Sequence, residues 1–173
     1  MLDGVELIIQ YLVRVLFFMA MVLVVGCSVN PVTGENQLSL ISASEELAIG
    51  QKNYGPSQQS QGGLYSVDES LQAYIAEVGH KLAAASGAPD LPYEFVVLNN
   101  SVPNAWAMPG GKIAINRGLL SLLNDESELA AVLGHEVVHA AARHGASQMT
   151  WSTFIGLGSQ VAVIAAQTQG YGE

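Results

Sequence analysis

Apolar positions change their period along the chain, and the changes mark out its elements. Leu71, Tyr74, Ile75, Val78 and Leu82 recur at steps of three and four, which is the spacing of one helix face. Ser66-Val67-Asp68-Glu69 reads as a capping box opening that helix. Gly87, with Pro89 beyond it, is its expected end. Tyr93 to Leu98, YEFVVL, has the composition of a strand, and NNSVPN after it is a loop. In AWAMPGGKIAIN, residues 105–116, two short extended segments flank Pro109-Gly110-Gly111, the pattern of a hairpin. Gly118 to Leu123 starts a helical stretch that Asn124-Asp125 breaks. Asp125, with Glu128 three residues on, then caps a helix predicted to run to about His144. A last apolar helix is expected over Ser147 to Gln167, where Gly156 and Gly158 weaken it or allow close packing.

The first part of the chain is less regular. Residues 28–37, SVNPVTGENQ, read as a turn-rich linker, and Leu38, Leu40 and Ile41 as a short strand. Ser42-Ala43-Ser44-Glu45 is a capping box for a short helix to about Asn53, with GPSQQSQGG, residues 55–63, as a loop. The sum is an α+β chain, mostly helical: a small sheet with four or five helices packed on it.

At 173 residues the chain has the length of about one domain. It is 50% hydrophobic and 12% charged, enough apolar material for one core and unlike a disordered chain. A net charge of −9 with six Lys plus Arg argues against nucleic acid as a partner, because phosphate contacts need clustered cations. No Gly-rich phosphate loop precedes a helix, and no internal repeat is visible.

The single cysteine, Cys27, excludes an internal disulfide. It ends the stretch VRVLFFMAMVLVVGC. Arg14 comes first, then apolar residues from Val15 to Val25, then Gly26: the layout of a secretory signal, too short to span a bilayer. Residues 1–26 are therefore expected to be a signal peptide. Asp3 and Glu6 sit where positive charge belongs, so the true start is expected near Val13. The opposing reading is an uncleaved anchor over Leu7 to Val25, with Gln10 and Arg14 inside it, a costly arrangement. Val24-Val25-Gly26-Cys27 resembles the lipobox of bacterial lipoproteins. The resemblance implies acylation of Cys27, with residues 27–37 as a lipidated N-terminus and linker. Ser28 after the cysteine implies sorting to the outer membrane.

The chemistry concentrates in AAVLGHEVVHAAARH, residues 130–144. On a helix, His139 lies about 40° round from His135 and one turn away, so both rings leave one face and suit a single Zn²⁺. Glu136 lies about 100° from His135, where it can act as general base on the attacking water without ligating the metal. Leu129, Val132, Leu133, Val137 and many alanines make this helix apolar nearly all round, and buried His and Glu are costly unless paired or metal-bound. Gly134 leaves space where a ligand can approach. The bland alternative is two histidines at a polar edge of a core helix. His144, nine residues after His135, falls on the opposite face of a continuous helix, which gives it a surface or second-shell role rather than that of a third ligand. His80 reads as a surface histidine.

NAWAMPGGKIAINRGLL and LLNDESELAAVLGHEVVHAAARHGASQM, within residues 104–149, resemble the BepA/LoiP/HtpX-like zinc metallopeptidase family (metallopeptidase family 48). NPVTGENQLSLIS is similar to the opening of its lipoprotein and periplasmic members. The resemblance implies a zincin-like (gluzincin) domain over residues 38–173 with one zinc ion. It implies endopeptidase activity on unfolded or misassembled envelope polypeptides from a periplasm-facing lipoprotein, with the outer-membrane assembly machinery as a further partner. Carried over, His135 and His139 are zinc ligands and Glu136 is the base. Asn104 and Ala105 lie at the cleft rim. Lys112, Ile113, Ala114, Ile115 and Asn116 form the edge strand on which an extended substrate pairs. The ordinary alternative for that strand is an inner position.

A hydrolytic zinc needs three protein ligands. The family takes its third from a glutamate on a later helix, which is expected beyond residue 173; Glu173 is a poor candidate. The chain therefore reads as C-terminally incomplete. Two other function classes remain open at this point. One is a non-hydrolytic envelope lipoprotein that binds unfolded outer-membrane protein segments. The other is a structural zinc lipoprotein, which chelation would unfold.

Overall fold

The computed structural model describes residues 3–22, 27–153, 155 and 156. The expected lipobox residues Val24 to Gly26, most of the last apolar helix, and Glu173 lie outside the described residues.

Helix α1 (Asp3–Val22) takes in Val15 to Val22 of the apolar signal-like stretch, with Tyr11 and Phe17 exposed. Among the described residues no helix is long and apolar enough to cross a membrane. Strands β1 (Cys27–Val29) and β2 (Asn36–Leu38) pair antiparallel, Cys27 opposite Leu38. The segment expected to be a linker is thus a hairpin, closed by Asn30, whose Oδ1 accepts the backbone N–H groups of Val32 and Thr33. Residues 39–41 are not strand. Leu40 donates its N–H to Thr150, and the Ile41 carbonyl accepts from Arg143.

Helix α2 (Ala43–Ser60) has the full capping box of Ser42 and Glu45. It runs on through Pro56, beyond the predicted end at Asn53 and through most of the expected loop. The buried stripe Glu46, Gly50 and Tyr54, at steps of four, explains the extension. Tyr54 donates its hydroxyl to the Ile113 carbonyl at 2.8 Å and meets Trp106 edge-on. These contacts hold the last turns against the loss of one intrahelical hydrogen bond at proline. The chain reverses at Gly62 and Gly63, both at positive φ.

Helix α3 (Glu69–Ala84) is capped by Asp68, not Ser66; the Asp68 carboxylate accepts the Leu71 N–H. Strands β3 (Glu94–Leu98), β4 (Ala105–Met108) and β5 (Lys112–Asn116) form a mixed sheet in the order β3-β5-β4. β5 runs parallel to β3 and antiparallel to β4, and the predicted β4–β5 hairpin turns on Gly110 and Gly111, both at φ +78°. Short helix α4 (Arg117–Leu120) and α5 (Glu126–Ala141) follow, α5 capped by Asp125.

The sheet lies between two helical layers. Phe95, Val97, Ile113 and Ile115 share one face and form the core with Ile75 and Val78 of α3 and Leu129, Leu133 and Val137 of α5. The other face meets α2. Gly50 is obligatory there, since a Cβ would stand 1.9 Å from the Pro109 carbonyl oxygen.

This order corrects the expected substrate strand. Lys112, Ile113, Ala114, Ile115 and Asn116 are all buried in the central strand, with both backbone edges paired. The Lys112 ammonium is paired with Glu94 rather than facing a cleft. A run apolar on both faces, such as Ile113-Ala114-Ile115, fits an inner strand.

Candidate metal centre and active site

Helix α5 buries one side on the sheet and α3 and leaves the other open. His135 and Val138 are exposed, while Glu136 and His139 are half-buried at the boundary. The expectation of a helix buried nearly all round was wrong, because β4 is the last strand and nothing described covers α5 beyond it. The histidine pair thus sits at an accessible surface. The Nε2 atoms of His135 and His139 converge to 2.9 Å, with ring centroids 4.5 Å apart. Two nitrogen donors aimed at one point suit a borderline-soft divalent ion such as zinc. Among the described residues no group of three or more His, Cys, Asp or Glu could hold a metal, so the donor set there is two imidazoles.

The helix does not continue to His144. It stops at Ala141, Arg143 takes a left-handed conformation (φ 57°), and a new helical stretch begins at 144. Such a conformation costs a non-glycine residue on the order of 1–3 kcal/mol and persists only when the surroundings impose it. They do so here. Arg143 Nε donates to Glu46 at 2.6 Å, and the guanidinium also reaches the Ile41 carbonyl at 3.0 Å. Both side chains of the ion pair are largely buried, 15% and 7% exposed. Asn30 Nδ2 donates to the Ala142 carbonyl at 3.3 Å. The break corrects the expected position of His144: its Nδ1 lies 2.8 Å from Nδ1 of His139, instead of on the opposite face.

Two cavities flank Glu136. One, of about 260 Å³, includes Trp106, Met108, His139, His144 and Gln148 in its wall. The other, of about 480 Å³, is bounded by Asn104, Leu119, Val132 and His135. Glu136 and Ala105 line both, so the two adjoin at these residues as one groove beside β4. Asn104 and Ala105 lie on the wall of this groove.

The outer edge of β4 borders the groove. Asn116 donates its N–H to the Asn104 carbonyl, and antiparallel pairs alternate between bonded and non-bonded. Residues 106 and 108 therefore bond to β5, and Ala105 and Ala107 turn their N–H and C=O outward. Among the described residues, no backbone hydrogen bond covers that edge. The opposite edge is occupied: Tyr65 donates to the Val97 carbonyl, and the Gln72 amide bonds both backbone groups of Val97. β4 was missed as the accessible strand because strand order depends on the β3–β5 pairing. The chain did hold one signal, the small residues Ala105 and Ala107, which let α5 lie close to an edge strand.

The model of peptidase family M48 matches residues 69–172, spanning the sheet, α5 and the histidine pair. The chain belongs to peptidase family M48. Its relatives include the mitochondrial metalloendopeptidase OMA1 of Schizosaccharomyces pombe, 39% identical over 79 residues, which are 46% of this chain and 23% of that protein. The beta-barrel assembly-enhancing protease of Yersinia pestis is 33% identical over 119 residues, 69% of this chain and 24% of that protein. The protein of the same name from Escherichia coli K12 is 30% identical over the same shares. The chain thus spans about a quarter of the length of these relatives.

Proposed function

We propose that the chain carries the catalytic centre of a zinc-dependent endopeptidase of zincin type, acting on extended segments of unfolded or misassembled envelope proteins. The observation that carries this reading is the placement of His135, Glu136 and His139 on the open face of α5, beside a free strand edge in one groove. Family membership and relatives named as metalloendopeptidases support it.

His135 and His139 would hold the metal through Nε2. Bound there, zinc supplies Lewis-acid polarisation of the scissile carbonyl and makes water nucleophilic near neutral pH. Glu136 takes the proton that the water loses as its oxygen attacks the carbonyl carbon. It returns a proton to the leaving amine as the C–N bond breaks. The outward groups of Ala105 and Ala107 bind substrate backbone as an added strand, a mode that accepts unfolded chains and excludes folded ones.

The envelope setting rests on the names of the bacterial relatives and on the signal-like segment ending at Cys27. Acylation of Cys27 would tether the domain to a membrane facing the periplasm. The deciding experiment is Glu136→Gln in the full-length protein. Cleavage of an unfolded polypeptide should disappear while zinc binding persists. A variant that still cleaves would remove Glu136 as the base. A wild-type protein that binds unfolded chains without cutting them would make this a holding module.

A further inference from the structure

On an uninterrupted helix His144 would lie about 140° round from His139, and the two rings could not meet. The left-handed turn at Arg143 brings them together at 2.8 Å between Nδ1 atoms, with centroids 4.7 Å apart and planes at 75°. His139 is thus held at both ring nitrogens, Nε2 against His135 and Nδ1 against His144. The two nitrogens of an imidazole diverge, so His144 stands on the side of His139 away from the converging Nε2 pair. That placement sets it apart from the donor set.

We propose that His144 is a positioning residue for His139, accepting the Nδ1–H of that ring at its own Nδ1. In a neutral imidazole one nitrogen carries the proton and the other keeps a free lone pair. A metal needs the lone pair at His139 Nε2, which leaves the proton on Nδ1. A partner for that N–H fixes both the tautomer and the ring orientation of a ligating histidine. His144 is such a partner, with its own proton on Nε2. The contact is built from distant chain: Glu46 and Ile41 bind Arg143, and Asn30 binds the Ala142 carbonyl. The inference rests on the zinc reading of His135 and His139.

The test is zinc affinity of the full-length protein by competition with a chromophoric chelator, with the fold checked by circular dichroism. His144→Leu, which lacks an acceptor, should weaken zinc binding by about 10–100-fold. His144→Asn places a carbonyl oxygen near the position of Nδ1 and should restore most of that loss. His135→Ala/His139→Ala should abolish binding at the site. Unchanged affinity in His144→Leu, with binding lost in the double variant, overturns the positioning role and leaves the zinc reading standing. Failure of His144→Asn to rescue overturns it as well, since the loss in His144→Leu would then not come from the missing acceptor. Zinc binding that survives the double variant defeats the zinc reading. Should His144→Leu fail to fold, long-range ¹H–¹⁵N spectra of the zinc-free wild type decide. His139 protonated at Nδ1 is the expected result, and protonation at Nε2 overturns the proposal.

Discussion

If substrate adds to the outer edge of β4, a proline at position 107 should block it without dismantling the sheet. The Ala107 N–H points away from β5, so Ala107→Pro removes no ladder bond, and edge strands tolerate proline where the N–H faces outward. Loss of one substrate hydrogen bond is worth about 0.5–1.5 kcal/mol, roughly a two- to twelve-fold fall in kcat/KM. The ring adds to that loss, because a paired strand must lie about 4.7–4.9 Å away, within the space the ring takes up. A decrease of about tenfold or more is therefore expected, carried mainly by KM if the backbone contact is equal in ground and transition states. The assay is cleavage of a fluorogenic unfolded polypeptide, with circular dichroism to confirm the fold. Trp106→Pro serves as the contrast: its N–H faces β5, and that variant should lose stability. A folded Ala107→Pro protein with unchanged kcat/KM would show that substrate does not lie on β4.

Four further outcomes follow from the packing and from one helix cap. Gly50→Ala should destabilise the protein in urea unfolding by about 1–3 kcal/mol, because overpacking against Pro109 outweighs the helix propensity gained; Gly134→Ala, whose Cβ meets nothing within 4 Å, should stabilise it by up to about 1 kcal/mol. Burial, and then the charge of Glu94, raise the Tyr54 phenol above its ordinary 10.0, so its stabilising contribution is complete below that pH and lost above it. Tyr54→Phe should cost about 1 kcal/mol at neutral pH and show a shallower alkaline decline. Hydrogen bonds from the Ser70 hydroxyl and the Leu71 N–H hold the Asp68 carboxyl below its ordinary 3.8; its contribution is present above that pH and lost as pH falls through the folded value. Asp68→Asn, which keeps the cap oxygen, should flatten this acid dependence in unfolding measured from pH 5 downward.

Features encoded by neighbours along the chain were legible from the residues. The Ser42–Glu45 box, the Asp125 cap, the glycine hairpin and the spacing of His135 and His139 all involve residues within a few positions of one another. Features set by distant pairs were not. The central place of β5 depends on parallel pairing with β3 across an intervening strand. The length of α2 depends on Tyr54 reaching Ile113, 59 residues away. The break after α5 depends on Arg143 meeting Glu46, 97 residues away, and on Asn30 meeting Ala142, 112 away. Local propensity favours continuing an alanine-rich helix through residues 140–142, so only tertiary contacts can end it there.

Helix α2 carries none of the groups proposed for chemistry, yet its buried stripe reaches the turn after α5, the β4–β5 turn and β5. Glu46 holds the turn at Arg143, Gly50 seats the backbone of Pro109 between β4 and β5, and Tyr54 anchors the Ile113 carbonyl of β5. The three contacts lie on successive turns of one face, so a shift of α2 moves the hairpin edge and the end of α5 together. A left-handed arginine could not hold its conformation against an exposed partner, since exposed ion pairs contribute about 0–1 kcal/mol and the strain is as large or larger. The burial of Glu46 changes that balance: with one partner gone, the other charge is left unpaired out of water, at a cost of about 3–5 kcal/mol. The same ion pair therefore selects the bent path of the chain, and losing either partner alone destabilises the fold. Were it absent, α5 would be free to run on and carry His144 away from His139.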